Sequence, residues 1–229
     1  MSKFNTIALV VAAGVGKRFD GEIPKQYLLI DGKSILQIIV EKFLQHSQVD
    51  AVAVVINENH RDLYQKSTEN LYLLPPILGG KERQDSARLG LLSIAKYEPE
   101  KVLIHDAARL FFTPQLINDL LVELDHYEGV IPVCPITDTI KQVDQDYVVQ
   151  KTIPRGEIFS VQTPQVFKYK SILNAHQNSL KGGFTDDASL LEQQNIEVKS
   201  VITNNKNFKI TTSEDFLLAK FLTGGRYVE

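Results

Sequence analysis

Short runs of β-branched and apolar residues alternate along the chain with longer stretches in which apolar positions recur every three to four residues. The first kind reads as strands and the second as helices, because side chains repeat every two residues on a strand and about every 3.6 on a helix. Strands are predicted at Thr6 to Ala13, Ala51 to Ile56, Leu71 to Leu78, Lys101 to His105 and Gly129 to Cys134. Helices are predicted at Ser34 to His46, whose Ile35, Leu36, Ile38, Ile39, Val40 and Phe43 make one broad apolar face, and at Glu82 to Ala95, entered through Gly79 and Gly80. A third helix, Pro114 to Tyr127, opens with proline in its first turn. Strands and helices in alternation predict an α/β, Rossmann-like fold, a mostly parallel twisted sheet covered by helices on both faces. No repeat, low-complexity tract or linker-like stretch divides the sequence, so residues 1–229 are expected to form a single domain.

One region breaks the alternation. Thr139 to Ile153 reads as two polar-apolar alternating strands around a turn at Asp144 to Asp146. A lone two-stranded hairpin is marginal in water, so this arm, at about 137–156, is expected to pack against a second copy of the chain; lying on its own domain's surface is the alternative.

Composition narrows the function. Hydrophobic residues are 43% and charged residues 23% of the 229, enough for a sizeable core and unlike a disordered chain. Lys plus Arg is 25 against 28 for Asp plus Glu, a net charge of −3, so nucleic acid is not an expected partner and any anion site must be local. The single cysteine, Cys134, excludes an internal disulfide or a multi-cysteine zinc site, and the five histidines show no H-E-x-x-H spacing. The apolar run at the N-terminus is about eight residues against the roughly 20 a membrane span needs, and it lacks a signal peptide's basic start. It reads as a buried strand, with no membrane association and a cytoplasmic location expected.

Candidate chemistry lies at the carboxyl ends of the predicted strands, where ligands collect in parallel α/β sheets. After the first strand come Ala12, Ala13, Gly14 and Gly16, small residues that let backbone N–H groups approach a phosphate. The loop is neither a dinucleotide fingerprint, since Phe19 holds the third glycine position, nor a Walker A loop, since no G-K-[ST] follows. Lys17, Arg18 and Lys25 follow closely. Each alone would be an ordinary solvated charge; together on a glycine loop they suit a nucleoside triphosphate, which needs backbone donors, cations and usually Mg²⁺. A second small-residue turn, G-G-K-E-R-Q-D-S, offers Gly79 and Gly80 for close approach of a flat ring and Ser86 as a hydroxyl, while Arg83 is by default solvated or ion-paired. A third group, H-D-A-A-R at 105 to 109, offers Asp106 to a metal or a substrate hydroxyl and Arg109 to a phosphate or an acid. His105 taken alone is a structural histidine. Arg155, Thr163 within Q-T-P-Q, T-D-D-A-S at 185 to 189 with Thr185 or Asp186 as helix cap, and Lys209 on a short strand before a helix at Ser213 to Leu222 are weaker signals that only a shared site would raise.

The ordered set A-A-G-x-G-x-R, P-K-Q, G-G-x-x-R-x-x-S, H-D-A-A-R, D-T-x-K, T-P-Q, T-D-x-A-S and x-x-K-I-T, running from about Thr6 to Leu222, resembles the 2-C-methyl-D-erythritol 4-phosphate cytidylyltransferases. The resemblance implies a nucleotidyltransferase fold with a protruding β-hairpin arm, a homodimer formed through that arm, and dependence on Mg²⁺. It implies transfer of the cytidylyl group of CTP to methylerythritol phosphate with release of pyrophosphate, a step of the non-mevalonate isoprenoid pathway. By the same likeness Arg18 and Lys25 stabilise charge on the α-phosphate, and Arg155, supplied by the neighbouring subunit, and Lys209 position the acceptor phosphate. Ala12, Ala13, Gly14, Gly16, Lys17, Gly80, Ser86 and Ala107 match the CTP side, and Asp106, Arg109, Thr139, Thr163 and Thr185 the acceptor side.

A phosphate monoester is already a competent nucleophile at neutral pH, so catalysis here is positioning plus charge stabilisation. One departure is Leu110, where the family usually has proline; loss of that fixed φ is expected to loosen the Asp106 loop. The sequence stops at Glu229, so the fused cyclodiphosphate synthase domain some relatives carry is not expected. Two rival readings stand beside this one: a cytidylyltransferase for ribitol 5-phosphate or another polyol phosphate, whose members more often read A-G-G and H-D-A-V-R, and a nucleotide-binding module without turnover.

Overall fold

The computed structural model describes residues 3–14, 19, 23–179 and 183–224. Strand β1 (Thr6–Ala12) is almost wholly buried. Strands β2 (Leu29–Ile30) and β3 (Lys33–Ser34) form a small ladder closed by Asp31 and Gly32, both at positive φ, the conformation a two-residue hairpin turn needs. Helix α1 (Ile35–Leu44) starts where the Ser34 hydroxyl accepts from the Gln37 N–H, and it buries Ile35, Leu36, Ile39, Val40 and Phe43. Then come β4 (Ala51–Ile56), α2 (Arg61–Ser67), β5 (Ile77–Leu78), α3 (Arg83–Ile94), β6 (Lys101–Asp106), α4 (Pro114–Glu123) and β7 (Gly129–Pro135). Among the described residues, strands β8 (Ile140–Val143) and β9 (Val149–Ile153) pair only with each other, in the predicted hairpin. The chain ends with β10 (Phe159–Val161), β11 (Gln165–Lys168), α5 (Tyr169–Asn178), α6 (Ala188–Glu192), β12 (Val198–Ile202) and α7 (Ser213–Leu222).

The main sheet runs β10-β7-β11-β6-β1-β4-β5, with β12 also on β7. β1 is parallel to β4 on one side and to β6 on the other, so the chain reverses its direction of winding at β1. In open α/β sheets that switch point opens a crevice at the strands' carboxyl ends. Alternate residues of β1 feed two cores: Ala8, Val10 and Ala12 face α1 and α4, while Ile7 and Leu9 face α3 and α5. Removing a large side chain such as fully buried Phe43 would cost about 3–5 kcal/mol.

The sheet is more mixed than its apolar runs announce. β11 lies antiparallel between β6 and β7, and β10 is antiparallel to β7. Of the predicted strand Leu71 to Leu78 only Ile77–Leu78 pairs, because Pro75 and Pro76 bring no N–H to a ladder. The segment around Lys209 forms no strand; it is tied to the sheet by the Ile210 N–H donating to the Ala108 carbonyl. The three predicted crossover helices end earlier than expected, at Leu44, Ile94 and Glu123. Among the described residues no helix is long and apolar enough to cross a membrane.

Candidate functional site

Two cavities open at the carboxyl edge of the sheet, one of about 450 Å³ and the other of about 390 Å³. The first is walled by the end of β1 with Ala12, Ala13 and Gly14, by Lys25 and Gln26, by Gly80 to Arg83, and by Asp106 to Ala108. The second is walled by Arg109, Val161 to Thr163, Gln165, Thr185 and the start of α6. Arg83, Asp106 and Lys209 line both, so these three form the partition between them.

The first cavity owes its shape to two loops held by buried polar contacts. Gln26 is buried, and its side-chain amide donates to the Ala12 carbonyl at 2.8 Å and the Gly14 carbonyl at 2.9 Å. Those two contacts fix the Ala12 and Gly14 carbonyls at the end of β1. A Cβ on Gly14 would meet no described atom within 4 Å, whereas one on Gly79 would stand 2.4 Å from the Ala13 Cβ and 2.8 Å from the Ser86 hydroxyl. Gly79 therefore serves contact between the two loops rather than approach of a ring. Ser86 is buried too, accepting from the Gly80 N–H and donating to the Glu82 carbonyl.

The partition is built on charge. Arg83 Nε donates to Asp106 Oδ1 at 2.8 Å, and Lys209 Nζ donates to Asp106 Oδ2 at 2.7 Å. Burial would raise the Asp106 pKa, but Arg83 and Lys209 outweigh it and hold the carboxyl well below the usual carboxylate range. Asp106 is thus a fixed anion, unsuited to act as a general base. Arg83 has a second partner: its Nη1 lies 2.7 Å from Asp187 Oδ2 in an ion pair whose carboxylate is 1% exposed. Burial works against the Arg83 charge, yet Asp187 and Asp106 raise its pKa above the ordinary value.

Asp106 is also fixed through its backbone. Its N–H donates to the Thr163 hydroxyl at 3.1 Å, that hydroxyl lies 3.0 Å from His105 Nδ1, and His105 Nε2 lies 2.8 Å from the Arg109 carbonyl. The Arg109 carbonyl can only accept, so Nε2 carries a proton, and in a neutral ring Nδ1 then accepts from the Thr163 hydroxyl. Burial drives the His105 pKa down to about 3, in keeping with that neutrality. Leu110 does not leave this loop loose. Its side chain is 1% exposed in the core, its carbonyl accepts from Lys42 Nζ, and the Ala108 and Arg109 N–H groups both donate to the Asp106 carbonyl.

Ala12, Ala13, Gly14, Lys25, Gly80, Ser86, Asp106, Ala107 and Lys209 meet around the first cavity, and Arg109, Thr163 and Thr185 around the second. Arg109 is tied to the Asn207 and Val161 carbonyls. Gly16, Lys17 and Arg18 lie outside the described residues. Arg155 and Thr139 are exposed and line neither cavity; Arg155 donates to the Thr137 carbonyl beside the hairpin. At the predicted cap of T-D-D-A-S it is Asp186, not Thr185, that accepts from the Ser189 N–H. Gln26, Arg83 and Asp187 were not singled out for a role by the sequence, although each sits inside a motif that was. Their partners lie 12 to 14 positions away for Gln26 and 23 for Arg83, beyond what local pattern reveals.

The 2-C-methyl-D-erythritol 4-phosphate cytidylyltransferase family model matches residues 6–224. The chain is 40% identical over 225 residues to a bifunctional enzyme IspD/IspF of Wolbachia pipientis, covering 96% of this chain and 56% of that protein. It is 41% identical over 220 residues to a protein of the same name from Paramagnetospirillum magneticum, with 96% and 57% covered. It thus spans little more than half the length of these curated relatives. Among solved structures, a 4-diphosphocytidyl-2C-methyl-D-erythritol synthase from Anaerococcus prevotii superposes with a TM-score of 0.84 at 28% identity, covering 96% of this chain and 98% of that one. The Francisella tularensis 2-C-methyl-D-erythritol 4-phosphate cytidylyltransferase does so with 0.79 at 32% identity, covering 95% and 99%. With a match along almost all of its length and its motif residues gathered at one sheet edge, the chain belongs to the 2-C-methyl-D-erythritol 4-phosphate cytidylyltransferase family.

Proposed function

We propose that the chain transfers the cytidylyl group of CTP to 2-C-methyl-D-erythritol 4-phosphate, giving 4-diphosphocytidyl-2-C-methyl-D-erythritol and pyrophosphate. The observation that carries this reading is the pair of adjoining cavities with a charged partition, one bounded by a small-residue loop and Lys25, the other reached by Lys209. CTP occupies the first, its phosphates against the loop and Lys25. The acceptor occupies the second, its phosphate drawn to Lys209. An acceptor phosphate oxygen attacks the α-phosphorus, the bond to the β-phosphate oxygen breaks, and pyrophosphate leaves. Lys25 and Arg18 stabilise the charge that builds on the α-phosphate, worth on the order of 10²-fold or more each in rate by comparison with loss of an oxyanion donor.

Arg155 completes the acceptor side from a partner copy. Supporting this, the hairpin before it pairs only with itself, and Val143, Tyr147, Val148 and Val149 are exposed upon it, apolar surface that a homodimer would cover. Residues 1–229 act as one domain carrying this arm at about 137–156, at work in the cytoplasm. Mg²⁺ is implied by the family. Among the described residues no three His, Cys, Asp or Glu side chains gather into a metal site, and both Asp106 oxygens already face cations, so these residues make no cage for it. A divalent ion bound with CTP would offset the charge of its phosphates.

Pyrophosphate release from CTP with methylerythritol phosphate, with ribitol 5-phosphate and with no acceptor tests the assignment. Release only with the first supports it. Preference for ribitol 5-phosphate would move the chain to the polyol-phosphate enzymes, and CTP binding without release would leave a binding module.

A further inference from the structure

Behind the partition lies a carboxylate that lines neither of the two cavities. Asp187 precedes α6 and its side chain is 1% exposed. Its backbone is fixed by fully buried Gln165, whose side-chain oxygen accepts from the Asp187 and Ala188 N–H groups at 3.2 and 3.3 Å. Its Oδ1 takes a hydrogen bond from the Nε2 of His176, itself fully buried, at 3.1 Å. Its Oδ2 faces Arg83 Nη1 at 2.7 Å. A continuous series of polar contacts therefore runs from the cleft inward: Lys209, Asp106, Arg83, Asp187, His176.

Arg83 thus stands between two carboxylates that want it in different places. Deep in the protein an ion pair that loses one member leaves an uncompensated charge, which is costly, so a freed guanidinium takes up whatever carboxylate remains in reach. Without the inner anion Arg83 would have Asp106 alone. Its planar fork can engage both oxygens of one carboxylate, and Oδ2 is the oxygen that holds Lys209.

We propose that Asp187 is a positioning residue of the transfer reaction: by holding one side of Arg83 it restricts that side chain to a single oxygen of Asp106 and so keeps the other oxygen for Lys209. The inference rests on the function proposed above, since it is the acceptor phosphate that Lys209 aims. Asp187 touches no substrate, and its effect on the acceptor passes through two other side chains. The first cavity's loop is held separately, by Gln26 on the Ala12 and Gly14 carbonyls, so the larger effect falls on the acceptor that Lys209 aims.

The test is a double-mutant cycle with D187N and R83Q, measuring kcat and KM for both substrates by pyrophosphate release after wild-type turnover has been shown. D187N is expected to lower kcat/KM for the acceptor about 10-fold while the KM for CTP stays within about twofold of wild type. Because Asp187 acts through Arg83, D187N/R83Q should match R83Q within about twofold rather than multiply the two losses. Should D187N alone fold poorly, the comparison of R83Q with the charge-balanced double variant carries the same information. Multiplied losses, equal weakening for both substrates, or unchanged acceptor kinetics in D187N would overturn the proposal. Absence of wild-type turnover would instead overturn the functional assignment on which it rests.

Discussion

Lys209 donates a 2.7 Å hydrogen bond to Asp106 across 103 positions of sequence, joining the segment before α7 to the end of β6. This ion pair, the Ile210 to Ala108 hydrogen bond and the contacts of Asn207 with Arg109 and Thr163 together hold the late lysine at the switch point of the sheet. Under the proposed function, an acceptor phosphate reaching Lys209 would meet an ammonium already directed by a carboxylate and need little further ordering of it.

Lys25→Ala should retain the wild-type circular dichroism and thermal midpoint and lose about 10²-fold or more in kcat. Lys25 lies in a short 3₁₀ turn at the cavity and its side chain is only half-buried, so its loss leaves no core void. Turnover near wild type would remove Lys25 from the mechanism.

Gln26→Leu should act on nucleotide binding. The variant keeps the bulk but leaves the Ala12 and Gly14 carbonyls without their donor. Unsatisfied buried groups of this kind cost about 1–3 kcal/mol each, and the loop is expected to rearrange toward water. Steady-state kinetics should show KM for CTP raised about 10-fold with KM for the acceptor little changed. An effect on the acceptor alone would contradict the clamp.

Subunit mixing tests the origin of Arg155. If the chain forms the proposed homodimer, its Lys25→Ala and Arg155→Ala forms are each expected to be nearly inactive. If Arg155 serves the neighbouring site, random reassociation in equal amounts rebuilds one intact site in each mixed dimer, restoring about a quarter of wild-type activity. If it serves its own chain, mixing restores nothing.

His105 makes stability depend on pH. Its folded-state pKa is about 3, whereas an unfolded imidazole titrates near about 6.5. As the pH falls from about 6.5 toward 3 the unfolded chain binds the proton first, so the His105 contribution is present above that window and is lost within it. At pH 5 the loss relative to pH 7.5 is about 2 kcal/mol. Urea denaturation of the wild type and His105→Gln at both pH values should show the gap between them shrinking at pH 5 by about that amount. An unchanged gap would contradict a neutral buried ring.

Much of this was legible in the residues themselves. Ala51–Ile56 is a pure apolar run and forms a fully buried strand within the same bounds, and Ser34 and Pro114 mark helix starts by capping and by a preset φ. Motifs at strand ends pointed to the sheet edge because glycines and charges interrupt the apolar pattern there. Gln165–Lys168 was not legible: four residues are too few to show a period, and nothing local sets their antiparallel direction. Nor was the pairing of Arg83 with Asp187, since both read locally as ordinary helix-start charges and only tertiary packing buries them together. Arg155 and Thr139 remain exposed and apart from both cavities of their own chain.

The most direct test of transfer between the two cavities is phosphorus NMR of a reaction holding CTP, methylerythritol phosphate and Mg²⁺. The account predicts two coupled diphosphate resonances of a cytidine diphosphate ester growing with pyrophosphate in equal amount, as the acceptor monoester signal disappears. Pyrophosphate appearing with CMP while the acceptor signal stays constant, or no change in any phosphorus signal, would contradict it.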